Sequence, residues 1–157
     1  MERGWQTADG IVEGLRRVTS IDDLVSQMDV AAGEMGCRFW ALIHHDVLRT
    51  QRPGLVNLTK YPAVVVERLG DGSRFRRDPV IRGCLFADCA FIWSDLARII
   101  ELDRKDRDAF EFGARAGLNE GITVPNSLMG DCLGSCTFAG MHRPQDAQRM
   151  LGFAQMI

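Results

Sequence analysis

"GITVPNSLMGDCLGSCTFAG", residues 121–140, is the stretch on which the fold turns. "GITVPNS" (121–127) and "GSCTFAG" (134–140) read as two strands, with "LMGDCL" as the hairpin between them. Upstream, "CRFWALIHH" (37–45) is rich in aromatic and branched residues and predicts another strand. "GLVNLTKY" (54–61) is its partner across a polar loop. The remaining segments have helical spacing. Ser20 is placed to cap a helix over 21–35, with Asp23 at the capping-box position and Gly36 as the stop. A shorter amphipathic helix precedes it, carrying Ile11, Val12 and Leu15.

"PAVVVERL" (62–69) predicts a helix opened by Pro62 and closed by Gly70, although its β-branched triplet also suits a strand. Short helices follow at Pro79–Phe86 and Asp95–Glu101. An amphipathic helix runs from Lys105 to Ala116, with Ala109, Phe110, Phe112 and Ala116 inward. The last residues begin another helix. Helices, two strands, helices, two strands and a helix make an α+β layout. The expected architecture is an α-β-α sandwich, a short central antiparallel sheet covered by helices on both faces, like a sensor domain of the PAS or GAF kind.

The 157 residues suffice for a single domain with a proper core. Apolar residues make up 46% and charged residues 25%, ordinary for a globular protein. A net charge of −2 gives no basic footprint for nucleic acid, and Arg74, Arg76 and Arg77 read as a solvated rim. No apolar run reaches membrane-span length, and the N-terminus lacks the apolar core of a signal peptide. The expected compartment is the cytoplasm. There the five cysteines (Cys37, Cys84, Cys89, Cys132, Cys136) are reduced, and their spacing fits no zinc motif. They read as small buried hydrophobes, and no metal or cofactor is expected.

Catalysis has weak support. Cys37, Cys84 or Ser135 could serve as nucleophile and His44, His45 or His142 as base, but none lies in a recognisable motif. "GDGS" (70–73) follows a helix and reads as a turn, not a phosphate loop. The chain is not expected to be an enzyme. A ligand cavity between sheet and helices fits the composition better, being mostly apolar with a few placed polar groups. Tyr61, Asp78, Trp93, Thr123 and Thr137 are candidates for those groups. Each also has a plain structural role: Tyr61 can cover the sheet edge, Trp93 can be core, and the threonines suit strands.

Asp78 opens "DPVIRGCLFADCAFIW" (78–93), an apolar run. A helix start accounts for it, since Asp is a good N-cap and Pro79 suits the first turn. If the carboxylate also faces inward it needs a donor, because an unpaired buried carboxylate costs several kcal/mol. A ligand amide N–H supplies one.

At these residues the chain resembles the ligand-binding domain of LuxR-type quorum-sensing transcription factors, receptors for N-acyl-homoserine lactones. The similar segments are "KYPAVVVERLGDGSRFRRDPVI" (60–81), "FIWSDL" (91–96), "ARAGLNEGITVPNS" (114–127) and "LGSCTFAG" (133–140). Seventeen residues separate Tyr61 from Asp78 and fifteen separate Asp78 from Trp93, the family's spacing. The resemblance implies that Asp78 accepts the signal's amide N–H and that Tyr61 donates to the acyl carbonyl. It puts Trp93 beside the lactone and a further hydroxyl at Thr137. Phe39, Ala41, Val80, Phe110, Gly113 and Leu118 align with the apolar lining.

One position departs from the pattern. Four residues after the tyrosine the family carries a Trp that bonds the lactone carbonyl, and here the residue is Val65. A lost buried hydrogen bond costs about 1–3 kcal/mol, so head-group recognition is where this chain should differ. The family's helix-turn-helix half, C-terminal to such a domain, is absent from these residues. The resemblance implies a homodimer that meets DNA only through that half. The competing reading is an orphan module that has lost its ligand and dimerises with full-length regulators.

Overall fold

The computed structural model describes residues 2–45, 54–70, 76–129 and 131–157. The polar loop after His45, the 71–73 part of the expected turn, Arg74 and Gly130 lie outside them. In chain order the elements are α1 (Glu2–Arg16), α2 (Ile21–Glu34), β1 (Cys37–His44), β2 (Asn57–Thr59) and α3 (Ala63–Leu69). There follow α4 (Pro79–Cys84), β3 (Phe91–Ile92), a 3-10 helix (Trp93–Arg98) and α5 (Arg104–Arg115). β4 (Gly121–Leu128), β5 (Asp131–Met141), a 3-10 turn (Pro144–Asp146) and α6 (Ala147–Met156) complete the set.

The strands form one antiparallel sheet in the order β2-β1-β5-β4-β3. The 121–140 hairpin is its centre. Thr123 pairs with Thr137 and Ile122 with Phe138, while β5 pairs on its other side with β1. Alternation along the strands sorts side chains to two faces. Trp40, Ile92, Ile122 and Phe138 join Met28, Ala31 and Ala32 of α2, Met35 at its C-cap and Ala154 of α6 in the larger core. Ala41, Ile43, Ser135 and Thr137 turn to the opposite face, under α3, α4 and α5. The result is an α-β-α sandwich. Asp29 fastens α2 to the sheet, accepting from Trp40 Nε1 at 2.8 Å and Lys60 Nζ at 2.7 Å.

Several expected elements change in extent. β4 and β5 run into the "LMGDCL" connection, where Leu128 still pairs with Asp131 and Met129 takes the turn with φ 52°. β2 keeps three residues because it is an edge strand paired on one side. β3 was not expected, and its two residues are a strand by virtue of pairing with Ile122 and Thr123. The Pro79–Phe86 helix ends at Cys84, leaving Leu85 and Phe86 exposed. The Asp95–Glu101 helix begins earlier and is 3-10, Trp93–Arg98. The 62–69 segment is helical despite its valines. Pro62 sets the entry, Val65 alone of the three is buried, and Gly70 ends it at φ 43°.

Caps follow local chemistry. Ser20 Oγ accepts from Asp23 N at 3.0 Å, and the Asp23 carboxylate accepts from Thr19 N and Oγ1. The reciprocal box is at α5, where Asp103 and Asp106 each accept the other's backbone N–H at 2.9 and 3.0 Å. Among the described residues no helix is long and apolar enough to cross a membrane, and no cluster of His, Cys, Asp and Glu suits a metal.

Candidate functional site

Between the sheet and α3, α4 and α5 is a cavity of about 90 Å³. Asp78 reaches it because Pro79 starts α4 there. Asp78 Oδ1 caps that helix, accepting from Val80 N at 2.9 Å and Ile81 N at 3.2 Å. The carboxylate also borders the cavity. Burial pushes its pKa up to about 6, against the two backbone donors, which pull it down. The negative charge of Asp106 adds to the rise and Arg82 opposes it. Asp106 is itself buried and held by Arg82 at 2.8 Å, so this pair braces α4 against α5.

Tyr61, just before Pro62, brings its ring to the same cavity. Its hydroxyl bonds Thr137, and burial and then the nearby Asp78 push its pKa well above the usual phenol value. Thr137 Oγ1 lies 2.9 Å from Thr123 Oγ1, which accepts from Trp93 Nε1 at 3.0 Å. Tyr61, Thr137, Thr123 and Trp93 are therefore one chain of hydrogen bonds across the sheet face. Thr123 is fully buried and acts as the link in that chain, with the cavity wall formed by its neighbours.

Trp93 lies flat against backbone. A Cβ on Gly121 would stand 2.7 Å from Trp93 Cε2, so the indole seats only where position 121 lacks a side chain. Glu120 fixes both sides of that contact, accepting from Ser94 N at 3.3 Å and Gly121 N at 3.0 Å. The Phe110 ring meets the indole at 6.0 Å and 54°.

Of the eleven residues expected at the site, ten border this one cavity: Tyr61, Asp78, Trp93, Thr137, Val65, Val80, Phe110, Gly113, Leu118 and Ala41. Phe39 does not. Its ring packs over the Cα positions of Gly140 and Gly117, beneath Arg38 at 5.4 Å, and supports Leu118 from behind. Residues of the wall that the sequence reading did not place there include Arg68, Leu69, Ile43, Ile81 and Ser135. The three-residue step from Val65 to Arg68 on a helix was the available signal for Arg68. Glu120 was also missed, since "LNEG" reads as a loop.

Two residues weighed for catalysis meet at the cavity's edge. His45 Nε2 lies 3.0 Å from Ser135 Oγ, tying the end of β1 to β5. Burial first, then His44, lowers the His45 pKa. Burial raises the thiol pKa of Cys37 and Cys136 to about 12 and that of Cys84 further, so these are poor nucleophiles. A larger depression of about 560 Å³ lies mainly over the opposite face, walled by Leu15, Leu24, Met28, Leu42 and Ile157 among others. It has none of the convergent Tyr61–Asp78–Trp93 set, so the smaller cavity is the better candidate.

The fold is shared with solved regulators. CepR2 from Burkholderia cenocepacia, an N-acylhomoserine lactone dependent LuxR family transcription factor, matches with TM-score 0.74 at 14% identity, over 99% of this chain and 91% of that one. Escherichia coli SdiA matches with TM-score 0.67 at 18% identity, over 96% of this chain and 64% of that one. SdiA in complex with octanoyl-rac-glycerol matches with TM-score 0.64 at 17% identity, over 98% and 65%. The chain thus spans less than two thirds of these SdiA chains. At such identities the likeness is one of fold. No curated protein is similar enough in sequence to match. Residues 20–157 match the family profile of the autoinducer binding domain, a family of signal-binding domains and not of enzymes. The chain belongs to the autoinducer-binding domain family.

Proposed function

We propose that this domain is the sensing part of a quorum-sensing regulator and binds a small N-acylated signal, an N-acyl-homoserine lactone or a related amphiphile, in the cavity beneath α3, α4 and α5. One observation carries the reading. Tyr61, Asp78, Trp93 and Thr137 come from four separate stretches of the chain and border a single apolar cavity. In the proposed complex the amide N–H donates to Asp78 and the acyl carbonyl accepts from Tyr61. The acyl chain lies among Val80, Phe110 and Leu118. The fold shared with SdiA, solved with octanoyl-rac-glycerol, supports a ligand of acyl type.

The wider reading is a cytoplasmic homodimer whose response reaches DNA through a C-terminal half, with no cofactor. The test begins with mass spectrometry of an organic extract of the purified protein, and continues with calorimetry against acyl lactones of several lengths. Acyl-amide compounds in the extract and saturable binding that Asp78→Ala removes are expected. A wild-type protein that binds no acyl compound at micromolar concentration overturns the proposal and favours the orphan module.

A further inference from the structure

Alternate residues of β5 face the cavity side of the sheet, at steps of about 7 Å. Ala139 packs with Val65 and Trp93 at one end. Thr137 bonds Tyr61 in the middle. Ser135 follows at the other end, where Ala41 and Ile43 of β1 pack with Ile81 of α4. Ser135 is buried and borders the cavity, so it puts a hydroxyl among these apolar side chains. Two groups that are not part of the wall hold that hydroxyl. His45 Nε2 lies 3.0 Å from Ser135 Oγ, and the Cys84 thiol bonds it from α4. A hydroxyl donates one hydrogen bond and accepts two. His45 and Cys84 take two of these three places. Where the Ser135 proton goes to either neighbour, one lone pair is left. Where both neighbours donate, the O–H itself is left. A ligand hydroxyl, donor and acceptor at once, fits every case.

Resting on the proposed function, we infer that Ser135 is a specificity-determining contact for the far end of the acyl group, and that the cavity takes a signal whose acyl end carries a hydroxyl. In the proposed complex the amide stands by Asp78 and Tyr61, beside Thr137. A chain that leaves it away from Val65 and Trp93 reaches Ser135 after about 7 Å. A hydroxyl buried there among Ala41, Ile43 and Ile81 alone would lose its water and gain nothing in return. The third place on Ser135 Oγ replaces that water, while His45 and Cys84 keep the oxygen where the ligand meets it.

The test compares two ligands on three proteins by calorimetry. The ligands are N-(6-hydroxyhexanoyl)-homoserine lactone and N-heptanoyl-homoserine lactone, which share chain length and head group and differ only in a hydroxyl or a methyl at the end. Wild type should bind the hydroxy compound at least as tightly as the heptanoyl compound. Ser135→Ala should weaken the hydroxy compound about ten- to hundredfold, because its buried hydroxyl loses its partner, and should hold the heptanoyl compound within about threefold. Ser135→Thr keeps the hydroxyl and should keep the wild-type ratio. A wild type that binds the hydroxy compound weaker than the heptanoyl compound by about tenfold or more overturns the inference, and that result is read without any variant. A general loss of packing in Ser135→Ala would weaken both ligands together and leave their ratio unchanged, and that result also overturns it. Failure of both ligands to bind wild type is a different outcome, which removes the proposed function and this inference with it.

Discussion

The pH dependence of binding should be set by Asp78. Its carboxyl sits at about 6, raised by burial from 3.8 despite two backbone donors on Oδ1. That displacement corresponds to roughly 3 kcal/mol against the charged form. For the protein alone the sign follows from proton counts. Between 3.8 and about 6 the folded state holds a proton that the unfolded state has released. Asp78's contribution to stability is therefore full below 3.8 and is lost as pH rises through about 6. An amide N–H donor reverses the preference, because it stabilises the carboxylate. Binding should release a fraction of a proton near pH 6 and should favour the alkaline side. One pH unit below its pKa the group is about ten-elevenths protonated, so affinity should fall about tenfold from pH 7.5 to pH 5. The assay is calorimetry with N-octanoyl-homoserine lactone across that range, in two buffers of different ionisation enthalpy to count protons. Asp78→Asn keeps an oxygen for the α4 cap but cannot titrate, and its affinity should be low and flat with pH. An equal slope in Asp78→Asn, or tighter binding in acid, refutes the reasoning.

Three further outcomes follow from the same geometry. Val65→Trp places an indole in a cavity of about 90 Å³, so thermal melting should show an overpacking loss of about 1–3 kcal/mol. If a neutral lactone is the native signal, the restored donor should tighten it about ten- to hundredfold in a binding titration; unchanged binding and stability would place position 65 away from the ligand. Gly121→Ala should force Trp93 off its seat and break the 3.0 Å bond to Thr123, seen as a shifted Trp emission and weaker binding of every ligand; an unaltered spectrum refutes the close packing. In a series of straight-chain acyl lactones, each added methylene should tighten binding by about fourfold, or 0.8 kcal/mol, until the wall is reached. A flat series would show that the tail lies outside.

What could be read in the sequence was what local chemistry decides. Ser20 and Asp78 cap helices because a short acceptor before an apolar run has few other uses, and the 121–140 hairpin is written in its own residues. That Tyr61, Asp78 and Trp93 border one cavity was legible because the three keep a family spacing. What escaped depends on partners far away in the chain. Phe91 and Ile92 are a strand only because β4 lies beside them. Glu120 looks like a loop acid until Ser94 and its own neighbour Gly121 are brought to its carboxylate. Phe39 has the right alternation for the cavity face, yet Gly117 and Gly140 open a closer seat for its ring. Arg68 reads as part of a solvated helix face, yet it borders the cavity.

The hydrogen-bonded chain from Trp93 to Tyr61 bears on how such a pocket discriminates. Among the described residues no buried side-chain oxygen or nitrogen lacks a partner. Thr123 and Thr137 spend their hydroxyls on each other and on Trp93 and Tyr61, so the sheet face is satisfied without any ligand. A signal therefore does not complete that network, and what it gains there is apolar contact and whatever bond Tyr61 can share. Asp78 differs. Its backbone donors both go to Oδ1, and burial raises its pKa to about 6 against their pull. A donor to this carboxylate would favour its charged form, and an amide N–H is a neutral group that supplies one without bringing a second charge into the fold. For an N-acylated signal bound as proposed, acyl length would set how much apolar surface is buried, and the amide whether burial is allowed.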